Sequence, residues 1–160
     1  MARALLSLGS NIEPLRYLRA AAMALRERFP GAVVSDAWEF PAVGFEGPPF
    51  LNAGAVLDCD PDPQALNDWL HALEDAHGRD RGAPRWSDRT LDIDIVYFDD
   101  RIIDGPGHLQ VPRPERRHAF VLMPLAAIAP DFIDPVHGRS LRQLWAAHPD
   151  HGLTPPQFPL

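Results

Sequence analysis

Apolar residues run almost unbroken through 3–8 (Ala4, Leu5, Leu6, Leu8), the pattern of a strand buried on both faces. Gly9-Ser10-Asn11 then turns the chain. Ser10 and Glu13 have capping-box spacing, Pro14 suits a first helical turn, and Leu15, Leu18, Ala22, Leu25 and Phe29 recur at helical spacing up to Pro30-Gly31. A strand is expected over 32–40. Residues 41–49 hold three prolines and two glycines and read as a loop. Over 50–58 the pattern alternates: Leu51, Ala53, Ala55 and Leu57 share one face, and Phe50, Asn52, Gly54 and Val56 share the other. Asp62 can cap a second helix whose stripe is Leu66, Trp69, Leu70, Leu73 and Ala76, with Gly78 as its stop. Residues 91–98 alternate again, placing Asp92, Asp94 and Val96 on one face and Leu91, Ile93, Ile95 and Tyr97 towards a core. Beyond turns at Asp99-Asp100 and Gly105-Pro106-Gly107, Val111 to Pro114 is extended. A helix is expected over 115–127, kinked or stopped early by Pro124. Ser140 and Gln143 form a second capping box before a short helix, and the proline-rich end from His148 reads as a poorly ordered tail.

Strand–helix–strand–strand–helix–strand is the split βαβ order, so the expected class is α+β, ferredoxin-like, with an extra C-terminal hairpin and helices. The expected division is one domain over 1–148 and a tail over 149–160. That fold hosts many functions, so it leaves the chemistry open.

Charge narrows the choice. The net charge of −7 argues against a general nucleic-acid binder. All 15 basic residues are arginine, and nearly half fall within 79–89 and 113–117, so basic sites sit inside an acidic chain. One cysteine, Cys59, excludes an internal disulfide and suits a reducing, cytoplasmic setting. The apolar run near Ala4 is too short for a signal peptide, and no membrane span is expected. The seven histidines show no metal-binding spacing.

The candidate chemistry lies in 85–98. Asp92 and Asp94 on one strand face repel each other unless something positive sits beside them. Two Mg²⁺ ions answer that need, since Mg²⁺ takes oxygen ligands and keeps positions for substrate phosphates. Arg79, Arg81, Arg85 and Arg89 crowd the loop before the strand, and guanidinium forks match phosphate oxygens. Carboxylates for metal beside guanidiniums for phosphate point to phosphoryl transfer. On the residues alone a second reading stays open, a strand whose aspartates simply pair with those arginines. Asn52 likewise either satisfies backbone or reads a ligand's polar edge beside Phe50. His71 and Glu74, three apart on a helix, read as a solvated pair.

Arg85-Trp86-x-x-Arg89-Thr90-Leu91-Asp92-Ile93-Asp94-Ile95 closely resembles the signature of the 6-hydroxymethyl-7,8-dihydropterin pyrophosphokinase family, and the resemblance extends from Leu8 to the region of Pro130. It implies an enzyme that transfers pyrophosphate from MgATP to a reduced pterin and releases AMP, acting as a cytoplasmic monomer without nucleic-acid or membrane partners. Carried over by position, Asp92 and Asp94 would hold two Mg²⁺ ions. Phe50 and Phe120 would sandwich the pterin, Asn52 would read its edge, Pro41 and Val43 would add contacts, and Asp92 would lie against it. Arg79, Arg81 and Arg89 would serve catalysis. His71, Glu74, Arg81, Trp86, Arg89, Ile95, Arg113 and His118 would line the ATP site. Two positions depart from the family's pattern: Arg113 stands where histidine is common, and His118 where arginine is. The nucleotide side is therefore altered, and a charge at 118 requires a protonated imidazole. A non-catalytic pterin- or nucleotide-binding paralogue, or a pyrophosphokinase with another donor or acceptor, is the alternative. The two-aspartate motif by itself also fits a two-metal nuclease, against which the acidic charge counts.

Overall fold

The computed structural model describes residues 1–79, 82–83, 88–105 and 109–160. Its elements in order are β1 (Ala2–Ser10), α1 (Pro14–Arg28), β2 (Val33–Val34), β3 (Ala37–Phe40), β4 (Phe50–Cys59), α2 (Pro63–Ala76), β5 (Asp92–Phe98), β6 (Ile103–Asp104), β7 (Gln110–Val111), a 3₁₀ turn (Pro114–Arg117), α3 (Ala119–Ile128), α4 (Leu141–Ala146) and β8 (Gln157–Phe158). The main sheet is antiparallel in the order β5-β1-β4-β3-β8, with β2 also on β4, and β6 and β7 form a separate hairpin. Strands β5-β1-β4-β3 with α1 and α2 as crossovers make the expected ferredoxin-like core.

The alternation of β4 sorts the sheet into two apolar layers. Leu51, Ala53, Ala55 and Leu57 join Ala4, Leu6, Leu8, Ile93 and Ile95 under the stripes of α1 (Leu18, Ala21, Leu25) and α2 (Leu66, Leu70). The opposite face carries Leu5, Val96 and Tyr97 against Val121, Leu122 and Leu125 of α3 and Leu141 of α4. A Cβ on Gly54 would lie 2.8 Å from Leu125 Cδ2, so α3 rests directly on the backbone of β4.

Several expectations are corrected by local packing. Ser10 stays in the sheet opposite Leu51 and α1 begins only at Pro14, so the Ser10–Glu13 box does not form. Glu13 instead takes a left-handed conformation at the helix start and pairs with Arg16 at 3.0 Å. Tyr97 was expected with Ile93 and Ile95, but a β-bulge intervenes: Leu5 faces Tyr97 while Leu6 faces Ile95. The extra residue, Val96, turns Tyr97 to the α3 side. The strand expected over 32–40 is broken at Ser35, whose Oγ accepts the Gly54 N–H at 2.8 Å in place of a backbone partner. A 3₁₀ turn replaces the first part of the third helix, and α3 runs through Pro124 to Ile128. The chain end is ordered: β8 pairs with β3, and Phe158 and Leu160 pack on the core, covering a sheet edge. The caps at Asp62 and Ser140–Gln143 form as expected. Cys59 is buried, and burial with Asp60 pushes its thiol up to about 11, which keeps it protonated and unreactive.

Candidate active site

Antiparallel register assembles one row of residues across the sheet. Asp92 of β5 faces Gly9 of β1, Gly9 faces Asn52 of β4, and Asn52 faces Trp38 of β3. The next row is Asp94, Ser7 and Gly54. Strands lie about 4.8 Å apart, so Asp92 and Asn52 sit about 10 Å from each other with only a glycine between them. A Cβ on Gly9 would come within 3.0 Å of Asn52 Oδ1 and 3.6 Å of Phe50 Cδ1. Gly9 thus keeps the floor between the amide and the carboxylates open.

Asn52 is 6% exposed, yet among the described residues no hydrogen bond reaches its side-chain amide. Its amide atoms are not among the fully buried side-chain atoms without a partner, so they open onto this face, where water or a ligand can meet them. Phe50 stands beside it, half-buried and edge-on to Phe45 at 6.3 Å. Phe40 lies opposite Phe50 in the sheet and meets the Phe120 ring at 6.5 Å, which brings Phe120 to the same end of this face from seventy positions away. His118 stacks on Phe120 at 5.0 Å, nearly parallel. Pro41 and Val43 are exposed in the loop after β3.

The carboxylates face guanidiniums. Arg79 Nη1 donates to Asp92 Oδ1 at 3.1 Å and to the Leu91 carbonyl at 3.4 Å. Its Nε is buried with no hydrogen-bond acceptor among the described residues. Arg113 Nη1 lies 3.7 Å from Asp94 Oδ1 and its Nε 3.6 Å from Glu115 Oε2. Even so, burial and the neighbouring Asp92 charge push Asp94 up to about 8. The pairing that was one reading of the two aspartates is therefore present, and it leaves Asp94 with an unmet demand for positive charge. Among the described residues no cluster of three or more His, Cys, Asp or Glu could hold a metal by itself. Two partly exposed carboxylates nevertheless fit Mg²⁺, which binds through one or two carboxylates and completes its shell with water and substrate phosphates.

Other expected residues have different surroundings. Glu74 is not in a solvated pair: it is buried, and its Oε2 accepts the Ile93 N–H at 2.8 Å, capping the outer edge of β5. His71 is exposed on α2. The Ile95 side chain is in the core beneath the helices, so only its backbone can meet a ligand on the α3 side. Arg89 is buried, with Nη1 donating to the Asp88 carbonyl at 3.0 Å. His118 caps α3, and burial together with Arg117 lowers its pKa, so the ligand-free imidazole is neutral near pH 7 and carries no substitute charge. Arg81, Arg85 and Trp86 lie outside the described residues.

Asn11 escaped the sequence reading. Its Oδ1 accepts the Arg89 N–H at 2.8 Å, and its Nδ2 donates to Asp88 Oδ1 at 2.8 Å and to the Pro48 carbonyl at 3.2 Å. It ties the loop before β4 to the arginine-bearing segment before β5. The only sequence signal was a polar residue after a glycine turn, which is also what an ordinary loop looks like.

The sequence pattern of the family described as 7,8-dihydro-6-hydroxymethylpterin-pyrophosphokinase (HPPK) matches residues 5–130. The chain is 41% identical over 157 residues to the 2-amino-4-hydroxy-6-hydroxymethyldihydropteridine pyrophosphokinase of Pseudomonas aeruginosa, covering 94% of each. It is 34% identical over 145 residues to the protein of the same name from Synechocystis, covering 88% of this chain and 73% of that one. Among solved structures, Plasmodium falciparum wild-type HPPK-DHPS superposes with a TM-score of 0.71 at 14% identity, over 91% of this chain and 40% of that one. An HPPK-DHPS in complex with substrates gives 0.69 at 13% identity, over 91% and 43%. These two show a shared fold, and this chain spans less than half of either. The register-built row of Asp92, Gly9 and Asn52, the fold and the sequence matches converge: the chain belongs to the 7,8-dihydro-6-hydroxymethylpterin-pyrophosphokinase family.

Proposed function

We infer that this protein transfers pyrophosphate from ATP to the hydroxymethyl group of 6-hydroxymethyl-7,8-dihydropterin and releases AMP, a step of folate biosynthesis. The observation that carries the reading is the row itself: an amide without a partner at Asn52, two carboxylates at Asp92 and Asp94, and an unobstructed glycine floor between them. Asn52 reads the donor–acceptor edge of the pterin, whose ring lies between Phe50 and Phe120. With that edge anchored, the hydroxymethyl oxygen points along the row towards the carboxylates. Asp92 and Asp94 would hold Mg²⁺, two ions in this reading, and the bound metal would neutralise charge on the ATP oxygens. The hydroxymethyl oxygen bonds to the β-phosphorus as its proton passes to solvent, the bond from that phosphorus to the bridging oxygen breaks, and AMP leaves with the bridging oxygen. Most of the work is positioning of two substrates. Arg79, held on Asp92, and Arg113, beside Asp94, bring guanidiniums to the phosphate end of the row.

In this reading the protein works as a monomer in the cytoplasm. Among the described residues no helix is long and apolar enough to cross a membrane. The test is AMP release from ATP and Mg²⁺ with and without the reduced pterin. Release only when pterin is present is the expected result. Pterin binding without AMP release would make the chain a binding paralogue, and AMP release with another acceptor would redirect the substrate assignment.

A further inference from the structure

A second charged cluster lies beyond the candidate active site, on the α3 side of the sheet. Asp134 has a side chain only 1% exposed. Its Oδ2 accepts from the Tyr97 hydroxyl at 2.6 Å and from Arg116 Nε at 2.9 Å. Its Oδ1 accepts the N–H groups of Val136 at 2.7 Å and His137 at 3.0 Å. The carboxylate is thus saturated by four donors and has nothing to offer a ligand. Arg116 continues outward from it, with Nη1 donating to the Arg113 carbonyl at 3.0 Å. The Arg113 N–H in turn donates to the Val96 carbonyl at 3.1 Å. Val96 is the bulge residue that turns Tyr97 towards Asp134. Both backbone polar groups of Arg113 are therefore held by one connected set of residues, and its guanidinium stands 3.7 Å from Asp94.

We propose that Asp134, Tyr97 and Arg116 form a strut that positions Arg113 at the phosphate end of the site. They are positioning residues for the nucleotide, and this assignment rests on the pyrophosphokinase reading only for the identity of that nucleotide. Tyr97 and Asp134 touch the site nowhere; their effect runs through the carbonyl and N–H of Arg113. Arg113 sits on an extended segment and caps the 3₁₀ turn, where its carbonyl accepts both the Arg116 backbone N–H at 3.2 Å and Arg116 Nη1 at 3.0 Å, so Arg116 is the residue that fixes its position most directly.

The test is a double-mutant cycle on the affinity of Mg²⁺ with a non-hydrolysable ATP analogue, measured by calorimetry alongside pterin affinity and melting temperature. Arg116→Ala should weaken the nucleotide about tenfold, the scale of one charge-assisted contact, and leave pterin binding unchanged. In an Arg113→Ala background the same change should weaken it less than about twofold, since coupled residues are non-additive. If Arg116→Ala fails to fold, Tyr97→Phe keeps the ring and removes only the hydroxyl. It should weaken the nucleotide measurably in the native background and not in Arg113→Ala. Full additivity, equal losses for pterin and nucleotide, or a lower melting temperature with unchanged nucleotide affinity would each overturn the strut. Pterin-dependent AMP release reports separately on the function, so a chain that binds the nucleotide through this cycle but releases no AMP would fail that reading alone.

Discussion

Asp94 and Asp134 lie on the same side of the sheet, and their surroundings push them in opposite directions. At Asp134, burial raises the pKa, but bonds from the Tyr97 hydroxyl, the His137 N–H, Arg116 and the Val136 N–H outweigh it and hold the carboxyl well below the usual range. At Asp94, burial and Asp92 dominate, and Arg113 at 3.7 Å offsets them only in part, so the carboxyl rises to about 8. The difference is one of satisfied demand. The Asp134 region is complete without any ligand and reads as structure. The Asp92–Asp94 region concentrates negative charge on an open face, which is costly in a protein that needs nothing there and sensible in one that binds cations and phosphates.

The sharpest way to break this comparison is to remove a carboxylate from each region. Asp92→Ala or Asp94→Ala should lower kcat by about 10²–10³-fold, the scale for losing one group that stabilises developing charge, and Asp94→Ala should leave the melting temperature unchanged, because burial and Asp92 already disfavour its charged form. Near-normal turnover in steady-state AMP release would place the charge handling elsewhere. Asp134→Ala should act first on stability, costing about 3–5 kcal/mol in urea unfolding, since it leaves Arg116 without its partner, and it should weaken the nucleotide only through Arg113. An unfolding midpoint equal to wild type would show that the four bonds to Asp134 contribute nothing net.

A smaller effect sharpens the active-site half of the comparison. Asn52→Ala should weaken pterin binding by about 1–3 kcal/mol in calorimetry, the range for one lost hydrogen-bonding group. Because nothing among the described residues bonds that amide, stability should be unaffected. A stability loss with unchanged pterin affinity would return Asn52 to a structural role.

The smallest expected effect is in pH dependence, because Asp94 keeps 37% of its side chain in water, which screens it. Asp94 has a folded pKa above its unfolded value, so its stabilising contribution is full at low pH and is lost as pH rises towards 8. Asp134 has a depressed folded pKa, so its contribution is present above the unfolded value, about 3.9, and is lost as pH falls below it. In metal-free protein, Asp94→Asn should flatten the decline on the neutral side, and Asp134→Asn the decline on the acid side. Urea midpoints across pH for the two variants check this, and exchanged limbs would reverse the comparison.

Much of this was legible along the chain. The apolar run of β1, the alternation of β4 and the stripes of α1 and α2 are local periodicities, and they sufficed for the ferredoxin-like core. The caps at Asp62 and Ser140 were legible for the same reason, since each involves residues three apart. Ser10 and Glu13 carry the same spacing and form no box, because pairing of Ser10 with Leu51 holds it in the strand. Tyr97 was placed on the wrong face because alternation assumes an uninterrupted pleat, and the Val96 bulge is set by pairing with β1, about ninety residues earlier. Glu74 looked like a surface residue because a helical wheel does not show which strand edge will pass beside it.

At the site, the sequence by itself determined the residue types: two aspartates two apart, arginines before them, and an asparagine beside an aromatic in a distant strand. The spacing of Asp92 and Asp94 guarantees a shared face, since side-chain direction along a strand is a local property. Only the tertiary structure decided that Asn52 belongs to the same row, that Gly9 leaves the floor between them open, and that Asn11 ties two loops around it. It also decided that Asp94 is left in want of charge while Asp134 is saturated. Strand register, burial and the count of converging donors arise only when segments far apart in sequence meet, and those three quantities separate a binding carboxylate from a structural one.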